Sequence, residues 1–191
     1  MIGNDVVDLR DPETSPSTRH PRFDERVFAE EERDRIAAAA DAERLRWTLW
    51  AAKEAAFKAA KRLDQGLVFT PRRFVVDLEH GVVVHETAGR FALDLTVRDD
   101  VVHAVARMEA IPAAAVITGF VASEDVRQSD SVRHFALARL AKSLGNLRGS
   151  IDASPGSRAP SLRTSGGGEL PISLSHHGRF VAFAALGEVL G

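Results

Sequence analysis

Two short stretches of the chain carry residue types that could do chemistry together. Trp50-Ala51-Ala52-Lys53-Glu54-Ala55-Ala56-Phe57-Lys58 sets one carboxylate and two ammonium groups on a run of strong helix formers. Gly3-Asn4-Asp5 supplies a second carboxylate near the end of an N-terminal strand. Two carboxylates with two lysines match the needs of a magnesium diphosphate: hard oxygen ligands for the metal, and cations for the remaining phosphate charge. Glu54 and Lys58 are i,i+4 and share a helix face, while Lys53 points about 100° away from Glu54. The same spacing also describes an ordinary surface helix with Glu–Lys pairs, and spacing alone leaves both readings open.

A third stretch lies near the other end. In Ile172-Ser173-Leu174-Ser175-His176-His177-Gly178 the two serines share one face of a strand, and His176 comes at its end. Such a histidine can donate to a phosphate or simply satisfy a turn. A serine hydrolase is a poor fit. Ser175 and His176 are adjacent in extended backbone and point to opposite faces, and no Gly-x-Ser-x-Gly elbow is present.

The elements that must position these residues follow from periodicity. Residues 1–9 read as a strand and 11–21 as a Pro-, Ser- and Thr-rich loop. Residues 23–40 read as a helix whose Glu30, Glu31, Glu32, Arg33 and Arg35 form a solvated face. Asp41 caps a helix that runs to about Leu63. Strands are predicted near 74–76, 82–84, 91–95 and 101–105, as an antiparallel meander, and 114–121 adds a further apolar strand. Ser129-Asp130-Ser131 opens a helix that stops at Gly145. Residues 149–169, rich in Gly, Ser and Pro, predict a mobile loop, and 170–186 a strand–turn–strand.

One internal repeat orders these elements. Residues 93–106 overlie 172–185 without a gap, each a polar-tipped hairpin leading into a small apolar strand. This predicts an α+β protein of two pseudo-related lobes, each a small antiparallel sheet packed with helices. The boundaries expected are 1–121 for the first lobe and 122–191 for the second. Any two amphipathic hairpins share some likeness at this length.

Composition narrows the function classes. The 191 residues are 45% hydrophobic, so a core can be buried. A net charge of −2 argues against bulk nucleic-acid binding. The chain has no cysteine, which excludes disulfides and cysteine zinc sites and fits a reducing cytoplasm. The acidic start Met1-Ile2-Gly3-Asn4-Asp5 is unlike a signal peptide, and no apolar run nears the roughly 20 residues that span a bilayer. A cytoplasmic protein with no membrane partner is expected.

Taken together, the three stretches resemble the 4′-phosphopantetheinyl transferase superfamily. Gly3-Asn4-Asp5-Val6-Val7-Asp8-Leu9 is similar to its Gly-x-Asp strand. Trp50 through Lys58 fits its aromatic-x-x-Lys-Glu-Ala/Ser-x-x-Lys signature, and Ser173-Leu174-Ser175-His176 looks like its Ser-x-Ser-His segment. Arg22-Phe23 and Glu25-Arg26-Val27-Phe28 are similar to its Arg-Phe helix. The resemblance implies a holo-acyl-carrier-protein synthase activity: transfer of the phosphopantetheine arm of coenzyme A to a serine of an acyl or peptidyl carrier protein, as in fatty acid or polyketide biosynthesis. It implies Mg²⁺ held by Asp5 and Glu54, acid–base work by Glu54 and Lys58, and coenzyme A phosphates held by Lys53, Lys58, Ser175 and His176. Arg133 and Arg158, in segments similar to the usual coenzyme-binding helix and turn, are further expected contacts.

The chain departs from that pattern in lobe order. Fused members usually carry the Ser-x-Ser-His lobe first, and here it comes second. Asp8, facing away from Asp5, is read as structural. One chain that carries both halves of the site should act as a monomer. Arg10, Arg19, Arg22 and Arg26 could face an acidic carrier protein or be ordinary solvated arginines. The alternatives of another class are a non-catalytic carrier-protein or nucleotide-binding relative of the same fold, and a magnesium-dependent diphosphate hydrolase.

Overall fold

The computed structural model describes residues 1–123, 128–144, 149–153, 160–164 and 167–187. In chain order the elements are β1 (Ile2–Asp8), α1 (Phe23–Val27), α2 (Glu30–Ala38), α3 (Ala42–Lys61), β2 (Phe74–Asp77), β3 (Val82–His85), β4 (Gly89–Arg98), β5 (Val101–Met108), β6 (Val116–Ala122), α4 (Gln128–Leu144), β7 (Gly149–Ala153), β8 (Pro160–Thr164), β9 (Glu169–His177) and β10 (Phe180–Leu186). The strands form two five-stranded antiparallel sheets, ordered β1-β5-β4-β3-β2 and β6-β10-β9-β8-β7. This is the α+β, two-lobed architecture that the repeat predicts.

Four layers result. The alanines of α3 (Ala51, Ala52, Ala55, Ala56, Ala59, Ala60) pack on Val7, Val102, Ala104 and Ala106 of the first sheet. The other face of that sheet offers Val6 and Val101 to Phe180 and Ala182, and Ile2 and Val105 to Ala184. The second sheet's far face (Ile151, Leu162, Ile172, Phe183, Ala185) is covered by Ala136 and Leu140 of α4. The order is therefore α3, first sheet, second sheet, α4. Small residues on α3 let the helix lie close to the sheet, and burial of its apolar stripe holds it there.

The repeat is a structural one. Hairpin β4–β5 turns at Asp99-Asp100 and hairpin β9–β10 at Gly178-Arg179, in the register that the sequence overlay sets. Strand β1 lies beside β5 as β6 lies beside β10. Asp5 pairs with Ala104 and Gly119 with Phe183, so Gly119 stands in the second lobe where Asp5 stands in the first. The second lobe thus has no carboxylate at the equivalent place.

Three expectations need correction. Residues 116–121, expected to close the first lobe, pair with β10, so by hydrogen bonding they belong to the second sheet. The helix expected over 23–40 breaks at Phe28-Ala29, where the Glu32 carboxylate turns back to accept from the Ala29 N–H at 2.8 Å. Glu32 is accordingly buried and not part of a solvated face. The Gly-, Ser- and Pro-rich stretch contributes two strands, β7 and β8, to the second sheet; residues 154–159, 165 and 166 within it lie outside the described residues.

Candidate active site

Gly3 is what lets β1 meet α3. A Cβ at Gly3 would lie 2.1 Å from the Ala55 carbonyl oxygen and 2.6 Å from the Ala59 nitrogen. No side chain fits there, and the close approach brings the next residue on the same strand face, Asp5, beside Glu54 and Lys58. Lys58 Nζ donates to Asp5 Oδ1 at 2.8 Å and to the Asn4 carbonyl oxygen at 3.1 Å. Among the described residues no hydrogen bond reaches the Glu54 carboxylate. Burial pushes that carboxyl up to about 7, the charge of Asp5 adds to the rise, and Lys58 opposes it. Asp5, Glu54 and Lys58 therefore converge at the edge of the first sheet.

A family model described as the 4′-phosphopantetheinyl transferase superfamily matches residues 1–109, more than half of the chain. The chain belongs to that superfamily. The match holds the Asp5 strand, the α3 signature and the first hairpin, and ends before the second lobe. No curated protein and no solved structure matches the chain. No helix among the described residues is long and apolar enough to cross a membrane.

Within this transferase-superfamily chain the other expected site residues fall elsewhere. Lys53 is fully buried, and its ammonium binds Glu32 at 2.7 Å together with the Pro71 and Phe74 carbonyls. Burial lowers its pKa and Glu32 opposes the shift. Its phase on α3 points into the first lobe, so it does not reach a diphosphate beside Glu54. Ser175 is buried and accepts from Asn4 Nδ2 at 2.8 Å. Ser173 Oγ accepts the Asn4 main-chain N–H at 2.9 Å. His176 is exposed, on the β9 face shared with Ile172 and Leu174, which α4 covers. Successive side chains on a strand alternate, so Ser175 and His176 point to opposite faces of β9. Arg133 donates to Ser129 of its own helix and is not brought to Asp5 and Glu54. Arg158 lies outside the described residues.

The second lobe reaches the site through Ser175, which sequence reasoning gave to coenzyme A, and through Ser173, His177 and Arg62, which it did not assign. Ser173, Ser175 and His177 all face β1, and His177 Nδ1 accepts the Asp8 N–H at 3.1 Å. Ser173 and His177 supply acceptors for the Asn4 and Asp8 N–H groups at the open edge of β1, where no neighbour strand does so, and Ser175 accepts from the Asn4 side chain. Arg179 forks onto Asp8 at 2.7 Å. Burial alone would raise the Asp8 carboxyl, yet hydrogen bonds from Arg179 hold it at about 2. Asp8 is thus structural. Gly178, at φ 52°, lets the turn sit on Asp8, since a Cβ there would lie 2.6 Å from Asp8 Oδ2. Arg62, one turn past Lys58, donates to the Pro160 carbonyl at 2.8 Å and to the Ile172 carbonyl.

Asp11, Glu13 and His177 bring three ligand atoms within 4.8 Å of one another. Because His177 Nδ1 accepts the Asp8 N–H, the neutral ring carries its proton on Nε2, the atom 3.9 Å from Glu13. A protonated nitrogen suits a carboxylate and not a cation, so this group does not make a metal centre.

Proposed function

We propose that the protein transfers the phosphopantetheine arm of coenzyme A to a carrier-protein serine, with Mg²⁺ bound by Asp5 and Glu54. The observation that carries this reading is the convergence of Asp5, Glu54 and Lys58 in a chain of this superfamily. The donor set fits a hard divalent ion. Two carboxylates repel each other beside a single ammonium, and Glu54 holds no hydrogen bond among the described residues. Bound there, the ion would neutralise the diphosphate and polarise it toward attack.

The residues of the chain do the rest by positioning and proton handling. Glu54 accepts the proton of the attacking hydroxyl, directly or through water. The serine oxygen then forms a bond to the phosphorus of the pantetheine half, and the bond to the other half of the diphosphate breaks. Lys58, already held between Asp5 and the Asn4 carbonyl, neutralises the leaving phosphate and can supply its proton. The leaving group is adenosine 3′,5′-bisphosphate. Lys53 and Ser175 take no part in binding it on this reading, and His176 none at the Asp5–Glu54 centre.

Mass spectrometry of apo carrier proteins incubated with coenzyme A and Mg²⁺ tests the proposal. A gain of one phosphopantetheine arm is the expected result. Cleavage of coenzyme A without any carrier would point to a diphosphate hydrolase, and no reaction across a panel of carriers to a non-catalytic relative.

A further inference from the structure

The groups that form the candidate site sit on two separate elements: Asp5 on β1, and Glu54 and Lys58 on α3. Both elements are gripped by one short run of β9. The Asn4 N–H donates to Ser173 Oγ at 2.9 Å and the Asn4 side chain to Ser175 Oγ at 2.8 Å. Arg62, the residue that caps the C-terminal end of α3 two turns beyond Glu54, donates to the carbonyl of Ile172, the residue before Ser173. Asn4 closes the loop, since its own carbonyl accepts Lys58. Asn4, Ser173 and Ser175 are all at least nine-tenths buried, so these hydrogen bonds are shielded from water.

We propose that residues 172–175 of β9 act as a splint, with Ser173, Ser175 and Arg62 as positioning residues that set the spacing between Asp5 and Glu54. The second lobe then supports the chemistry without its two serines touching substrate. This inference rests on the reading of Asp5, Glu54 and Lys58 as the catalytic centre. It gives a role to two buried serines that both bond to Asn4, and to Asn4 itself between Gly3 and Asp5. Removing one hydroxyl takes a buried acceptor from Asn4 and loosens the hold on the strand that carries Asp5.

The test uses Ser173→Ala, Ser175→Ala and Arg62→Met in the full chain, with transfer kinetics and Mn²⁺ titration followed by electron paramagnetic resonance. Ser175→Ala, which spares the main-chain bond of Asn4, is the variant most sure to fold. The expected result is kcat lowered about 10-fold or more with the coenzyme A KM within twofold, and Mn²⁺ bound at least fivefold more weakly. A KM raised 10-fold with kcat kept would mean that the serines bind substrate, and would overturn the splint. Lower thermal stability with unchanged kcat and Mn²⁺ affinity would also overturn it, leaving a structural role only. Should the wild type and Glu54→Gln prove equally inactive, the transferase reading fails, and the Mn²⁺ titration decides the splint alone: weaker binding in the variants keeps it, unchanged binding removes it. A wild type that binds no Mn²⁺ ends both.

Discussion

Lys58 Nζ lies 2.8 Å from Asp5 Oδ1, a contact between residues on the last turns of α3 and on the first strand of the sheet. One ammonium thus balances one carboxylate. Glu54, the second carboxylate, is left to the burial and repulsion that push it up to about 7.

That imbalance gives a stability signature. Glu54 has a raised folded pKa, against an ordinary value of 4.5, so between those values the folded chain binds more protons than the unfolded one. The contribution of Glu54 to stability must therefore fall as pH rises from about 4.5 to 7. The full shift corresponds to roughly 3 kcal/mol, and solvent screening at this half-buried group reduces it to about 1–2 kcal/mol. In a chelator, Glu54→Gln should remove this fall, and Mg²⁺ should remove it from the wild type. Urea midpoints at pH 5 and 8 measure it; parallel curves for the two proteins would contradict the assigned repulsion. The same variant should lose at least about 100-fold in transfer rate, roughly 3 kcal/mol of transition-state stabilisation.

His103 predicts the opposite slope. Its ring is buried against Phe120, with Nε2 3.3 Å from Asn4 Nδ2. Burial pulls the imidazole down to about 4, and the charge of Lys58 adds to the fall. The unfolded chain takes up the proton first, so the contribution of His103 is full above about 6.5 and is lost as pH falls through 4. The loss approaches roughly 3 kcal/mol for this group. His103→Gln keeps an acceptor for Asn4 without the titration. The difference in unfolding free energy between wild type and variant should shrink by about that amount from pH 7 to pH 4. A difference independent of pH would show that the ring is not held neutral.

How much of this could be read from the sequence depends on the range of the interaction. The helix that carries Glu54 and Lys58 is local, and its Asp41 cap forms as expected, accepting the Arg44 N–H at 2.9 Å. The hairpin repeat is local as well, because each turn fixes its own register. The edge to which β6 adds is not local, since its partner β10 comes much later in the chain, and strand character carries no label for one sheet over the other. Lys53 shows the limit most sharply. Its spacing from Glu54 states that the two diverge, yet nothing near it states that Glu32 would leave a run of surface acids to meet it in the core. The alternation rule that argues against a Ser175–His176 hydrolase also places those residues on opposite faces of β9. What alternation could not supply was the partner of the serine face, which is β1.

The buried Lys53–Glu32 pair makes a claim about folding rather than substrate. Glu32 also accepts from the Val76 and Ala29 N–H groups, so it ties α2, α3 and β2 together. Lys53→Met leaves that carboxylate buried without a counter-charge and should cost about 3–5 kcal/mol. Adding Glu32→Gln should recover part of the loss, because no charge then remains to be neutralised. Per folded molecule, the coenzyme A KM of either variant should stay within about twofold of wild type, a kinetic ratio read as in. A KM raised alongside normal stability would return Lys53 to the substrate and overturn its structural placement.

Gly3 ties fold to chemistry most directly. Its Cα faces the backbone of α3, and both the Ala55 carbonyl and the Ala59 nitrogen are helix main chain that cannot rotate aside. Gly3→Ala must push β1 and α3 apart, which opens the alanine packing on the sheet and costs at least about 1–3 kcal/mol, the usual range for overpacking. The same displacement moves Asp5 from Lys58 and Glu54, so molecules that still fold should lose transfer activity together with Mn²⁺ affinity. Thermal unfolding and Mn²⁺ titration of one sample measure both effects. Gly81→Ala, at a β2–β3 turn with φ 61°, serves as the control: it strains the backbone of the same sheet far from Asp5, so it should lower stability and leave Mn²⁺ affinity unchanged. Equal loss of Mn²⁺ affinity in both variants would mean that general destabilisation, and not the approach of β1 to α3, governs the site.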